Sequence, residues 1–142
     1  MLRSFREEEI DILVEIWEKA SLVGHPFLSD SFLKEEKWLM KHKFLPGSNT
    51  TIFEESGQIT GFISTKKNEI TGLFVDPGCH RNGIGSKLIE HIKKDTPTLK
   101  VEVFENNKIG RSFYTKMGFK EQDQYYHQES KQMMIKMSQI SH

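Results

Sequence analysis

Between residues 69 and 105 the chain carries a strand, a glycine turn, a helix and a second strand. No other stretch constrains the fold as tightly. "NEITGLFVDP" is an apolar β-type run that ends in Asp76-Pro77-Gly78. "GIGSKLIEHIKK" puts Ile84, Leu88 and Ile92 on one helical face. "LKVEVFE" alternates, with Leu99, Val101 and Val103 on one side and Lys100 and Glu102 on the other. Strand, helix, strand in that order is a crossover, so strands 69–77 and 99–105 are expected to lie parallel.

The other β-type runs read as antiparallel neighbours. "TTIFEE" and "QITGFISTK" flank Ser56-Gly57 as a hairpin, and 69–77 follows closely as a third strand. "QYYHQ" and "KQMMIKM" form a last pair, and residues 2–6 a short first strand. "EEEIDILVEIWEKA" (7–20) is a helix with Ile10, Leu13, Val14 and Trp17 on its apolar face. A second helix is expected from Phe32 to about Lys43. "NKIGRSFYTKMGF" is a short helix with Ile109, Phe113 and Met117 four apart, ended by Gly118. The expected fold class is therefore α/β: a mixed, mostly antiparallel sheet with one parallel βαβ pair and helices on both faces. With 142 residues, no internal repeat and no linker, one domain spanning 1–142 is expected.

Twenty Lys and Arg balance twenty Asp and Glu. A zero net charge argues against a nucleic-acid or membrane-surface partner, which asks for a basic excess. One cysteine, Cys79, allows no intrachain disulfide, and no apolar run approaches a membrane span. "MLRSFREEE" is too charged for a signal peptide, so a cytoplasmic location is expected. Nothing in the sequence decides between a monomer and a homodimer.

The glycine turn "HRNGIG" (80–85) offers bare backbone at a helix start, which suits an anion. It is not a dinucleotide fingerprint, because Leu88 stands where the third glycine belongs. Nor is it an NTPase phosphate loop, because Ser86 precedes Lys87 and the upstream glycine is missing. Instead "LFVDPGCHRNGIGSKLIEH" resembles the acyl-CoA-binding motif of the GNAT N-acetyltransferase superfamily. "NNKIGRSFYTKMGF" resembles that family's second signature, at the family's spacing. The "GHPF" stretch after the first helix is similar to the bacterial YiaC/YjaB-like branch. The family places Gln or Arg where this chain has His80.

The resemblance implies an acetyl-CoA-dependent N-acetyltransferase, with acetyl-CoA as co-substrate and no metal. The acceptor would be a primary amine of a small molecule or of a protein lysine or N-terminus, attacking directly in a ternary complex. The alternative is a non-catalytic acyl-CoA-binding sensor. The resemblance points to Leu73, Phe74, Val75, His80, Arg81, Asn82, Gly83, Ile84, Gly85, Ser86, Lys87 and Asn107 as cofactor contacts. Amides near Phe74 and Val75 are expected to meet the oxyanion, and a β-carbon at 83 or 85 would stand in the way of phosphate oxygens. Tyr114 is the implied donor to the leaving thiolate. An alkylamine of pKa about 10.4 is neutral in only about one molecule in 2,500 at pH 7, a deficit of roughly 4.6 kcal/mol. Glu69 is the candidate base, with His25, His127 and a water relay as rivals. His25, Phe27, Phe32, Tyr125 and Tyr126 are expected to wall the acceptor pocket; Tyr125 and Tyr126 are adjacent on a strand, so one of them faces inward.

Overall fold

The protein forms a seven-stranded sheet in the order β1-β2-β3-β4-β5-β7-β6. The structure is a computed structural model that describes residues 1–140, with the backbone alone for His80, Arg81 and Ile140. β1 (Leu2–Ser4), β2 (Asn49–Glu55), β3 (Gln58–Lys66) and β4 (Glu69–Val75) run antiparallel in sequence order. β5 (Thr98–Phe104) pairs β4 in parallel, and β7 (Gln132–Ile140) and β6 (Lys120–His127) close the far side antiparallel. The expected crossover is present, with α3 (Ile84–Lys93) linking β4 to β5.

Helix boundaries follow local chemistry. α1 (Ile10–Gly24) continues a 3-10 turn at Glu7–Glu9, whose three carboxylates suit a helix N-terminus. The helix runs about one turn further than the sequence pattern indicated. α2 (Asp30–Leu39) starts two residues before Phe32 because Ser29 Oγ caps the Phe32 amide at 3.2 Å. It then widens into a π turn at Met40–Phe44. α4 (Lys108–Lys116) stops at Gly118, which takes φ 93° as a left-handed C-terminal residue. The β2–β3 turn places Ser56 and Gly57 at φ 53° and 79°, the left-handed pair that matches strand twist in a two-residue hairpin.

The sheet separates two cores. α3 and α4 cover one face, where Ile63, Leu88, Ile89 and Leu99 are fully buried. α1 and the π turn cover the other, where Leu13, Ile52 and Phe62 are fully buried. Strand alternation supplies both: Ile52 and Phe62 face one core, and Phe53 and Ile63 the other.

Candidate active site

β4 and β5 pair at two positions, Glu69↔Lys100 and Ile70↔Val101, and then part. The cause lies in β4. Its register against β3 slips from Thr65↔Ile70 to Ser64↔Gly72, so Thr71 is a bulge residue. Gly72 follows, where a β-carbon would stand 3.0 Å from the Phe74 ring. β3 holds β4 and β7 holds β5 over their lengths, so the gap between them stays open. A cleft of about 590 Å³ runs through it, walled by α1 and α2 on one face of the sheet and by α3 and α4 on the other.

The bulge also changes which residues share a face. Ile70, Leu73 and Val75 all pack toward the α3/α4 core, whereas Phe74 packs on the other core, 5.7 Å from Phe62. Simple alternation put Glu69 on the face of Leu73; with the bulge it lies on the opposite one. Glu69 is exposed, sits at the closed end of the strand pair and is not part of the cleft wall. Asp76 N–H donates to Thr60 at 2.8 Å, and ladder alternation then turns the Phe74 amide toward β3 and the Leu73 amide toward the gap.

On the α3 side, Gly83 adopts φ 68° and precedes a helix with no side-chain cap. Nothing stands within 4 Å of where its β-carbon would be. Gly85 is small for another reason: a β-carbon there would lie 3.1 Å from the Phe113 ring, so the residue lets α3 approach α4. The Ile84 side chain belongs to the core, leaving only its backbone at the turn. Asn82 is exposed and Ser86 half-buried. Lys87 Nζ lies 5.3 Å from the centre of the Phe53 ring. The side chains of His80 and Arg81 lie outside the described residues.

Tyr114 lines the cleft with its ring between Phe113 and Phe119, each centred 5.3 Å away. Burial pushes its phenol well above the usual range, so the group keeps its proton. Its hydroxyl has no hydrogen-bond partner among the described residues. Asn107 caps α4 by accepting from the Gly110 amide at 3.0 Å. That bond orients the amide, so its Nδ2 donates to His25 Nε2 at 3.1 Å. His25 is thereby a neutral imidazole protonated on Nδ1. Its rings-edge neighbours are Phe27 at 5.7 Å and Phe104 at 5.0 Å, and burial lowers its pKa to about 4. A β-carbon on Gly110 would stand 2.5 Å from Asn107 Nδ2, so this arrangement requires glycine.

The acceptor side differs from the sequence reading in detail. Phe32 lines the cleft, but Phe27 supports it from behind through His25 and Phe104. Tyr125 is not part of the cleft wall, but its hydroxyl donates to Glu102, which is, at 3.0 Å. Burial first, then Glu102, Glu129 and Glu69, push that phenol up to about 12. Tyr126 is 55% exposed and points away. His127 lines the cleft with Nδ1 engaged by Ser130 and Nε2 beside Glu129 at 3.3 Å. The carboxylates on the wall are Glu36 and Glu102, neither singled out from the sequence. Glu102 had a legible signal, as a polar-face residue of a strand that borders the gap. Among the described residues no group of three or more His, Cys, Asp or Glu is placed to hold a metal ion.

A through-sheet cleft beside an uncapped helix start, with a protonated tyrosine on its wall, accompanies a match of residues 5–138 to the model of the acetyltransferase (GNAT) domain. The chain belongs to the GNAT acetyltransferase family. As a GNAT member it is an N-acetyltransferase, as the two motifs implied. The peptidyl-lysine N-acetyltransferase YjaB of Escherichia coli K12 is 34% identical over 120 residues, covering 84% of this chain and 81% of YjaB. YiaC of the same strain, also a peptidyl-lysine N-acetyltransferase, is 28% identical over 84% of this chain and 82% of its own length. The solution structure of apo-form YjaB superposes with a TM-score of 0.89 at 28% identity, over 100% of this chain and 98% of that one. The PaiA N-acetyltransferase of Thermoplasma acidophilum, solved with coenzyme A, shares the GNAT fold at a TM-score of 0.81 and 20% identity, over 99% and 98% of the chains. The likeness to the YiaC/YjaB branch read from "GHPF" agrees with these relatives.

Proposed function

We propose that this GNAT enzyme transfers the acetyl group of acetyl-CoA to the side-chain amine of a lysine, by direct attack within the cleft. The observation that carries the reading is the cleft itself. Its lining comes from both faces of the sheet, which lets donor and acceptor approach from opposite sides and meet where β4 leaves β5. The lysine acceptor is supported by the names of the YjaB and YiaC relatives.

Acetyl-CoA supplies an acyl group activated as a thioester, and the residues on the α3 side fit it. Amides of the first turn of α3, beginning at Gly83, lack a capping side chain and face open space, which suits a pyrophosphate. The Leu73 amide, turned into the gap, hydrogen-bonds the acyl oxygen and meets the charge that develops on it. Asn107, held by Gly110 and His25, lines the same wall.

On the acceptor side Glu102 takes the proton that the ammonium must lose, directly or through a water. Its second partner, the Tyr125 hydroxyl, holds the carboxylate in place at 3.0 Å. His25 is unsuited to that task, because its Nε2 is occupied by Asn107 and its pKa lies near 4. Tyr114 keeps its proton until the carbon–sulfur bond breaks and then donates it to the thiolate. The new bond is N–C, and the products are acetyl-lysine and free CoA. The test is thiol release from acetyl-CoA against lysine peptides, N-terminal peptides, polyamines and amino acids, for the native chain and Tyr114→Phe. Release that depends on a lysine acceptor and collapses in the variant supports the reading. Binding of acetyl-CoA with no release for any acceptor would sink it in favour of a sensor.

A further inference from the structure

Glu36 stands where the packing of α2 asks for an apolar residue. Phe32, Leu33 and Met40 share its side of the helix at spacings of three and four, and all line the cleft. The neighbouring charged residues Lys34, Glu35 and Lys37 face solvent. Lys37 pairs with Glu18 at 3.1 Å and Lys41 with Asp11 at 2.9 Å, so neither cation serves Glu36. Among the described residues the Glu36 carboxylate has no hydrogen bond and no ion pair. Burial, followed by the charges of Glu35 and Glu129, holds its pKa above the usual carboxylate range. A carboxylate withdrawn from water without a partner is unfavourable, and its place in a cleft suggests that the partner arrives with the substrate.

Ser21 provides an independent observation. It is 1% exposed, it lines the same cleft from α1, and its Oγ has no hydrogen-bond partner. A helical serine usually satisfies its hydroxyl on a carbonyl one turn back. Here the acceptor lone pairs remain available on the wall. An alkylammonium brings three N–H donors and no acceptor, which is the complement of a carboxylate and a hydroxyl oxygen. Trp17, Phe32, Leu33 and Met40 supply the apolar surface that its methylene stem prefers.

We propose that Glu36 and Ser21 form the ammonium-recognising part of the acceptor site and make the enzyme select cationic over neutral aliphatic side chains. This rests on the reading of the chain as a lysine N-acetyltransferase. Glu36 acts on binding of the charged acceptor, so it governs KM and leaves the transition state to Glu102 and Tyr114.

The experiment titrates the full chain, followed by NMR, with acetyl-Gly-Lys-Gly-amide and with its norleucine counterpart, which lacks the terminal ammonium group and with it the charge and the donors. The native chain is expected to bind the lysine probe at least tenfold more tightly. Glu36→Gln is expected to erase that preference while affinity for the norleucine probe and for acetyl-CoA stays the same. Glu36→Asp keeps part of the preference, and Ser21→Ala weakens lysine binding about threefold. In the transfer assay Glu36→Gln raises KM for the lysine probe about tenfold with kcat within threefold. Its thermal midpoint is expected to be no lower than that of the native chain, since an unpartnered carboxylate is removed. Preference retained in Glu36→Gln, equal binding of both probes by the native chain, or a loss confined to kcat would each overturn the proposal. Lysine preference without any acetyl transfer would instead sink the transferase reading and leave this recognition site standing.

Discussion

At the scale of single residues, the site depends on groups whose protonation is set by burial. Tyr114 is 7% exposed, and its raised pKa keeps the phenol protonated at neutral pH. Because its hydroxyl has no partner among the described residues, removing it leaves none of them unsatisfied. Tyr114→Phe is therefore expected to lower kcat by about 100-fold or more while stability changes by less than about 1 kcal/mol. Steady-state kinetics together with denaturant unfolding would check both halves; a large loss of stability would mark the tyrosine as structural instead.

At the scale of elements, the N-terminus of α4 is tied to the C-terminus of α1 by one side-chain contact, Asn107 to His25. Gly110 makes room for it. Alanine in a helix ordinarily gains up to about 1 kcal/mol over glycine. Here Gly110→Ala is expected to lose about 1–2 kcal/mol instead, because its β-carbon displaces the capping amide. Thermal unfolding of the variant reads the sign directly. The same contact carries a pH dependence. The folded pKa of His25, about 4, lies below the ordinary value of 6.5. Stability from the neutral ring is thus complete above pH 6.5 and is lost as pH falls toward 4, on the order of 3 kcal/mol in all. Comparing the native chain with His25→Gln at pH 7 and pH 4.5 isolates this part: the native chain should lose more stability than the variant on acidification.

At the scale of the whole molecule, one sheet stands between two cores and ties them through neighbouring residues. Ile52 and Phe53, like Phe62 and Ile63, send successive side chains to opposite faces. Leu88 and Leu13 are each fully buried, one in each core. Leu88→Ala and Leu13→Ala are each expected to cost about 2–5 kcal/mol. The double variant should be additive within about 0.5 kcal/mol, since the two sites share no partner. Denaturant unfolding monitored by tryptophan fluorescence and by circular dichroism should show one coincident transition, because Trp17 reports the α1 core and the sheet belongs to both.

The order of elements, the parallel crossover and the acyl-CoA signatures were legible in the sequence, because period, turn residues and motif spacing are local properties. The end of α4 at Gly118 and the hairpin at Ser56-Gly57 are of that kind. Tyr114 was singled out because its spacing from Asn107 carries the resemblance, and the structure lines the cleft with it. Other features depended on relations between distant segments. The bulge at Thr71 arises from the register of β4 on β3, and it puts Glu69 on the face of the sheet opposite Leu73. The two glycines of the turn look equivalent in sequence, yet Gly83 is needed for its left-handed backbone and Gly85 for the Phe113 ring. Glu36 reads as an ordinary surface carboxylate and Glu102 only as the polar-face residue of a strand until helices and a parted strand pair bring both to one cleft. The sequence by itself determined the family and the elements, through interactions within a few residues. Which carboxylates line the cleft was decided only by tertiary packing, since burial and charge pairing depend on what the rest of the chain brings alongside.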